Sequence, residues 1–106
     1  MDVRVVNNVE ASRYEAYVGV ELAGFSDYRI RPDVIVFTHT EVYDAFEGKG
    51  VGSALAKGTL EDVRAHGGTI VPLCPFLAAY IRRHDEFRDL VAEYYRRDFD
   101  AAVADE

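Results

Sequence analysis

An imidazole and a carboxylate two residues apart, His39 and Glu41, lie at the end of the most apolar stretch of this chain, Val34 to Val42. Free imidazole changes protonation near neutral pH, and residues at that spacing share one side of a strand, so the pair could take up a proton during a reaction. Shortly after it, Phe46-Glu47-Gly48-Lys49-Gly50-Val51-Gly52-Ser53 joins a strand-like run to a helical one. Glycines there let backbone N–H groups face an anion with the positive end of a helix behind them, which is how a phosphate is held with few basic side chains. A flexible turn has the same composition, so the glycines alone do not decide. The third group is Cys74, the only cysteine, with Pro75, Tyr80, Arg82 and Arg83 following it. The two arginines and Lys49 are the cations nearest to hand for phosphate oxygens, and are equally suited to being solvated surface charges.

The elements that must position these groups follow from periodicity. Val3-Arg4-Val5-Val6 reads as a short strand closed by the turn signal Asn7-Asn8. Tyr14 to Leu22 reads as one strand, with Tyr14, Ala16, Val18, Val20 and Leu22 on one face. Ala23-Gly24 is the expected turn into a strand from Phe25 to Arg31, and Pro32-Asp33 a short connection. The run from Val34 is apolar on both faces at first, which predicts a place in the middle of the sheet. Val51, Leu55, Ala56, Thr59, Leu60 and Val63 predict an amphipathic helix from Gly50 to Ala65, stopped by Gly67-Gly68.

Thr69 to Cys74 reads as a short buried strand whose Pro72 suits an edge, and Pro75 suits the first position of a second helix. Phe76, Leu77, Tyr80 and Ile81 are the expected buried face of that helix. Phe87, Leu90, Val91, Tyr94 and Tyr95 predict a third. Residues 1–95 thus read as one domain and 96–106 as an acidic tail expected to fray. The order of elements predicts an α/β fold: a mostly antiparallel sheet with a parallel strand–helix–strand crossover and C-terminal helices. A crossover of that kind opens both parallel strand ends on one edge, so His39, Glu41, the glycine turn, Cys74 and Tyr80 are expected to face one cleft.

Bulk properties narrow the partners. A chain of 106 residues is one small domain, and its net charge of −7 argues against nucleic acid while attracting cationic molecules such as amines and polyamines. No apolar run approaches the ~20 residues that span a bilayer, and no signal-peptide pattern opens the chain. With a single cysteine, a cytoplasmic protein that binds no membrane is expected. No metal site is expected.

Three blocks in order, His39-Thr40-Glu41-Val42, Gly48-Lys49-Gly50-Val51-Gly52, and Val71-Pro72-Leu73-Cys74-Pro75-Phe76 followed by Tyr80-Ile81-Arg82-Arg83-His84, resemble the small single-domain GNAT-type acyltransferases over the span from Tyr14 to Val91. The resemblance implies a compact GNAT-like fold that binds acetyl-CoA or coenzyme A. It assigns the backbone of Glu47, Gly48, Lys49, Gly50, Val51, Gly52 and Ser53 to the pyrophosphate, the strand edge from Thr40 to Val42 to the pantetheine arm, and a catalytic role to His39 and Cys74. Two departures stand out. The wider superfamily begins its turn with Gln or Arg where this chain has Glu47, and the family's usual His-Pro-Glu-Tyr is here His84-Asp85-Glu86-Phe87.

Other readings of the turn fail on their own terms. A Walker loop needs a hydroxyl where Gly50 follows Gly48-Lys49, and a dinucleotide fold needs a carboxylate about 20 residues on, where Leu73-Cys74 stand. One strand–turn–helix unit for one pyrophosphate remains, which suits coenzyme A. The expected reaction is direct transfer of an acetyl group to an amine acceptor, a small molecule or a protein, with His39 as base and Glu41 orienting or replacing it. Cys74 reads as an inert buried thiol, as an acyl carrier activated by the following helix start, or as proton donor to the leaving thiolate, a role Tyr80 could also fill. A monomer or weak homodimer is expected. The rival readings are a non-catalytic acyl-CoA-binding or interaction module and, more distantly, a cysteine-based redox sensor.

Overall fold

A computed structural model describes residues 2–101. Strands β1 (Arg4–Asn8), β2 (Arg13–Val18), β3 (Glu21–Ile30), β4 (Ile35–Val42) and β5 (Ile70–Pro72) form one sheet in the order β1-β2-β3-β4-β5. The first four pair antiparallel, and β5 lies parallel to β4 at the sheet edge. A 3₁₀ turn (Asp44–Phe46) and α1 (Val51–Ala65) make the crossover; α2 (Pro75–Arg83), a second 3₁₀ segment (Asp85–Leu90) and α3 (Glu93–Ala101) follow. No described helix is long and apolar enough to cross a membrane.

The sheet has one face against helices. Tyr14, Ala16, Tyr28 and Phe37 point from it toward Leu55, Leu60 and Val63 of α1, and the Tyr14 hydroxyl donates to Asp62 at 2.7 Å. Burial, then this bond to a carboxylate, push the Tyr14 phenol far above its ordinary value, so it acts only as a donor. Helix α1 ends as its Gly67-Gly68 pair predicts, with Gly67 N–H on Arg64 O and Gly68 N–H on Val63 O. On the other face, Val34, Val36, Val71, Ala92 and Tyr95 form a small second cluster at the β4–β5 end.

Five expectations change. Asn7 and Asn8 lie inside β1, paired with Tyr14 and Arg13. The stretch Tyr14 to Leu22 is two strands joined at Gly19-Val20, where Gly19 takes φ +61° and Val20 is 94% exposed. The apolar alternation of the sequence runs unbroken through a two-residue hairpin, which hides the turn, although the pairing of Leu22 with Tyr17 puts Leu22 on the face opposite Tyr14 and Ala16. Ala23-Gly24 is instead interior to β3, and a Cβ on Gly24 would stand 2.5 Å from Glu41 O, so glycine lets β3 and β4 close up there. The expected third helix is interrupted, because Val91 bridges Ile70 and Ala92 N–H bonds Ile70 O, drawing that backbone into the sheet. Finally, Arg96–Ala101 is helical rather than frayed, with Phe99 buried; residues 102–106 of the expected tail lie outside the described residues.

A charged residue is buried on the second face. Glu15 is 5% exposed, and Arg13 Nε donates to it at 2.7 Å, the Tyr17 hydroxyl at 2.9 Å and Asn8 Nδ2 at 3.2 Å. Burial pushes the carboxyl up, but the three donors together bring it below its ordinary value. A carboxyl lowered by folding stabilises the protein above its unfolded value and loses that contribution as pH falls through the folded one. Urea midpoints measured from about pH 5 down to about pH 2 are therefore expected to fall less steeply for Glu15→Gln than for the parent chain. An unchanged acid limb would mean that the network does not favour the carboxylate.

Candidate active site

The site begins with a bulge in β4. Tyr28 pairs with Phe37 and Asp27 with His39, which leaves Thr38 unmatched. One extra residue turns every later side chain to the opposite face. Phe37 therefore points into the core, yet Thr40 points inward as well, while His39 and Glu41 point to the second face. His39 is exposed there, 6.0 Å from the Phe25 ring, itself 6.1 Å from Tyr43. Arg13 covers Phe25, its guanidinium carbon 4.6 Å from the ring centre.

Beyond the bulge β4 parts from β5. Their register covers Ile35–Phe37 against Ile70–Pro72, and Cys74 N–H on Phe37 O at 3.0 Å is the last link. From Thr38 to Val42 the β5-side edge of β4 is without a strand partner among the described residues. A groove of about 490 Å³ lies along this edge. Thr40 and Val42 form one wall, Phe76 and Arg83 of α2 the other, and the glycine turn the floor.

The turn has the geometry its composition suggests. Gly48 and Gly50 take φ +75° and +79°, with nothing near where a Cβ would stand. Gly50 caps α1, and the first closing bond of the helix is Ala54 N–H to Gly50 O at 3.1 Å. The N–H groups of Val51, Gly52 and Ser53 therefore lack intrahelical partners. A Cβ on Gly52 would stand 2.6 Å from the Phe76 ring, so only glycine lets that ring close over the helix start. Glu47 differs: it lines the groove, but its N–H is already bonded to Asp44 O at 3.2 Å. Its amide is spoken for, and the donor set starts at Gly48.

Cys74 sits behind the groove wall. It is 2% exposed, precedes the first residue of α2, and its Sγ donates to Thr40 Oγ1 at 3.1 Å. Thr40 Oγ1 is also 2.9 Å from the oxygen of Ser26, directly opposite on β3 and 2% exposed. Tyr80 is buried against His84, ring centres 3.9 Å apart, and its backbone oxygen accepts from His84 Nδ1 at 2.9 Å. Burial pushes the Tyr80 phenol up, which keeps it protonated at neutral pH. The shared cleft expected for His39, Glu41, Cys74 and Tyr80 is thus divided by the sheet: His39 and Glu41 on one face, Cys74 and Thr40 on the other.

Of the expected phosphate cations, Arg83 lines the groove. Arg82 is engaged elsewhere, donating to Phe99 O at 3.0 Å and lying over the Phe99 ring. Lys49 is exposed beside the turn and does not line the groove. Phe76, expected in the core, is a groove wall; Phe46, at the head of the glycine stretch but with no role expected of it, also lines the groove; Ser26 was missed entirely. Spacing could have shown Phe76, since it shares a helix face with Arg83 seven residues on. Ser26 carries no such signal, because only the register of β3 against β4 brings it to Thr40.

A mixed sheet whose fourth strand bulges, leaves its parallel neighbour and opens beside a glycine-capped helix is the fold of an N-acetyltransferase. The chain is similar to a GCN5-like candidate N-acetyltransferase from Staphylococcus aureus, known from its NMR solution structure, at 22% identity and TM-score 0.62, with 86% of this chain and 87% of that one covered. The family model described as GCN5-related N-acetyl-transferase matches residues 13–90. The chain belongs to that family and is an acetyltransferase, and the family uses acetyl-CoA as donor. No curated protein matches the chain.

Proposed function

We propose that the chain transfers the acetyl group of acetyl-CoA to an amine, with the donor in the groove and the acceptor arriving from the second face of the sheet. The observation that carries this reading is the groove itself: unpaired amides at a helix start, flanked by a strand edge with open backbone groups. The residues fit the donor. Amides from Gly48 to Ser53 suit the pyrophosphate, Arg83 an outer phosphate, and the β4 edge from Thr40 to Val42 the amide-bearing pantetheine arm. Acetyl-CoA supplies the activated acyl group when bound. His39, with Glu41 on its face, takes the proton from the acceptor nitrogen, directly or through water. The acidic balance of the chain, the exposed Glu41 and the half-buried Asp27 paired opposite His39 favour a cationic acceptor. Lone, buried Cys74 suits a cytoplasmic setting, and a monomer or weak homodimer leaves the second face open to the acceptor.

Calorimetry with acetyl-CoA tests the donor site. The parent chain is expected to bind, and Glu47→Gln to bind about fivefold more tightly at low salt, because a carboxylate beside the pyrophosphate costs about 1 kcal/mol in a solvated site. No binding by either protein would remove the groove assignment. Equal affinity of the two would mean that Glu47 points its charge away.

A further inference from the structure

Thr40 lines the groove and Cys74 does not, while Cys74 and Ser26 stand within hydrogen-bonding distance of the Thr40 hydroxyl. We propose that Thr40 is the immediate proton donor to the departing sulfur and that Cys74 acts through it, an inference that rests on the donor occupying this groove. A threonine oxygen accepts two hydrogen bonds and donates one. The Cys74 thiol fills one acceptor site at 3.1 Å, and the Ser26 hydroxyl, 2.9 Å away, fills the other when it donates. The single Thr40 proton then has only the groove to turn to. Ser26 is the positioning residue of this arrangement, and its burial at 2% exposure leaves water little access to compete.

The step balances as follows. The acetyl carbon gains a bond to the acceptor nitrogen, the carbon–sulfur bond breaks, and its electron pair stays on sulfur. Thr40 hands that sulfur its hydroxyl proton and takes the thiol proton of Cys74. Cys74, left as thiolate at the start of α2 where the helix dipole favours negative charge, regains a proton from solvent. His39 carries away the proton lost by the nitrogen. A proton passed from one alkyl thiol to another alkyl thiolate is nearly balanced in energy, whereas a threonine could not bear the charge itself. The relay therefore needs both residues, with Cys74 as proton source and never as acyl carrier.

The test uses the full chain with acetyl-CoA and hydroxylamine, a small nucleophile that requires no acceptor pocket and is largely unprotonated at neutral pH. Thr40→Val and Cys74→Ala are each expected to lower kcat about a hundredfold, with KM for acetyl-CoA within about threefold. The double variant is expected to be no slower than the worse single one, because both remove the same proton path. Thr40→Ser, which keeps the hydroxyl, should recover kcat to within about fivefold. Multiplying losses in the double variant, or a normal kcat in Thr40→Val with coenzyme A binding intact, would overturn the relay alone. Absence of coenzyme A binding by the parent chain would overturn the groove reading and the relay with it.

Discussion

Gly50→Asp is expected to abolish coenzyme A binding in a protein that still folds. Gly50 takes φ +79° at the cap of α1, and nothing lies near where a Cβ would stand. A non-glycine residue there costs about 1–2 kcal/mol of backbone strain, and aspartate is among the side chains that tolerate this conformation best. The introduced carboxylate, however, enters the mouth of the amide cradle. At an effective dielectric near 20, two charges about 4 Å apart repel by about 4 kcal/mol, more than a hundredfold in affinity. Gly50→Asn separates charge from shape, since it carries the same strain with no charge, and should weaken binding by no more than about tenfold. Calorimetry with coenzyme A reads both. Retained affinity in Gly50→Asp would sink the assignment of the turn to the pyrophosphate.

His39→Ala is expected to lower turnover with an amine acceptor at least about tenfold while coenzyme A affinity stays within about twofold. The split follows from the bulge at Thr38, which sends His39 to the face away from the groove lined by Thr40 and Val42. Removing an exposed imidazole that touches Phe25 and not the donor groove should leave the donor site intact. The loss should be largest with protonated alkylamines and small with hydroxylamine, which needs little help to lose its proton. Equal losses with both nucleophiles would point to a structural role. An unchanged rate would mean that His39 is not the base.

Much of this architecture is legible in residue order. Apolar residues on both faces from Val34 to Phe37 mark an interior strand, though β4 lies second from the edge and not in the middle; the crossover helix shows in its stripe from Val51 to Val63, and the edge in Pro72. Pro75 marks the start of α2, and the Gly67-Gly68 stop forms the cap its composition predicts. The glycine turn and the groove beside it coincide, because positive φ and close ring approach are demands that only glycine meets at those positions.

Local pattern by itself determined the crossover, the glycine turn and the family likeness, since each rests on residues near one another in the chain. Tertiary structure alone decided which faces the chemistry occupies. The hairpin at Gly19-Val20 pairs Val18 with Glu21 and so reverses parity while the apolar alternation of the sequence runs on, and the bulge at Thr38 reverses it again where none of the side chains changes character. Parity alone would seat His39 beside Phe37 and pair it with Cys74; the bulge seats Thr40 there instead, against Cys74 and Ser26. Such a shift arises from how two strands share hydrogen bonds, and that pairing lies between segments rather than within either one.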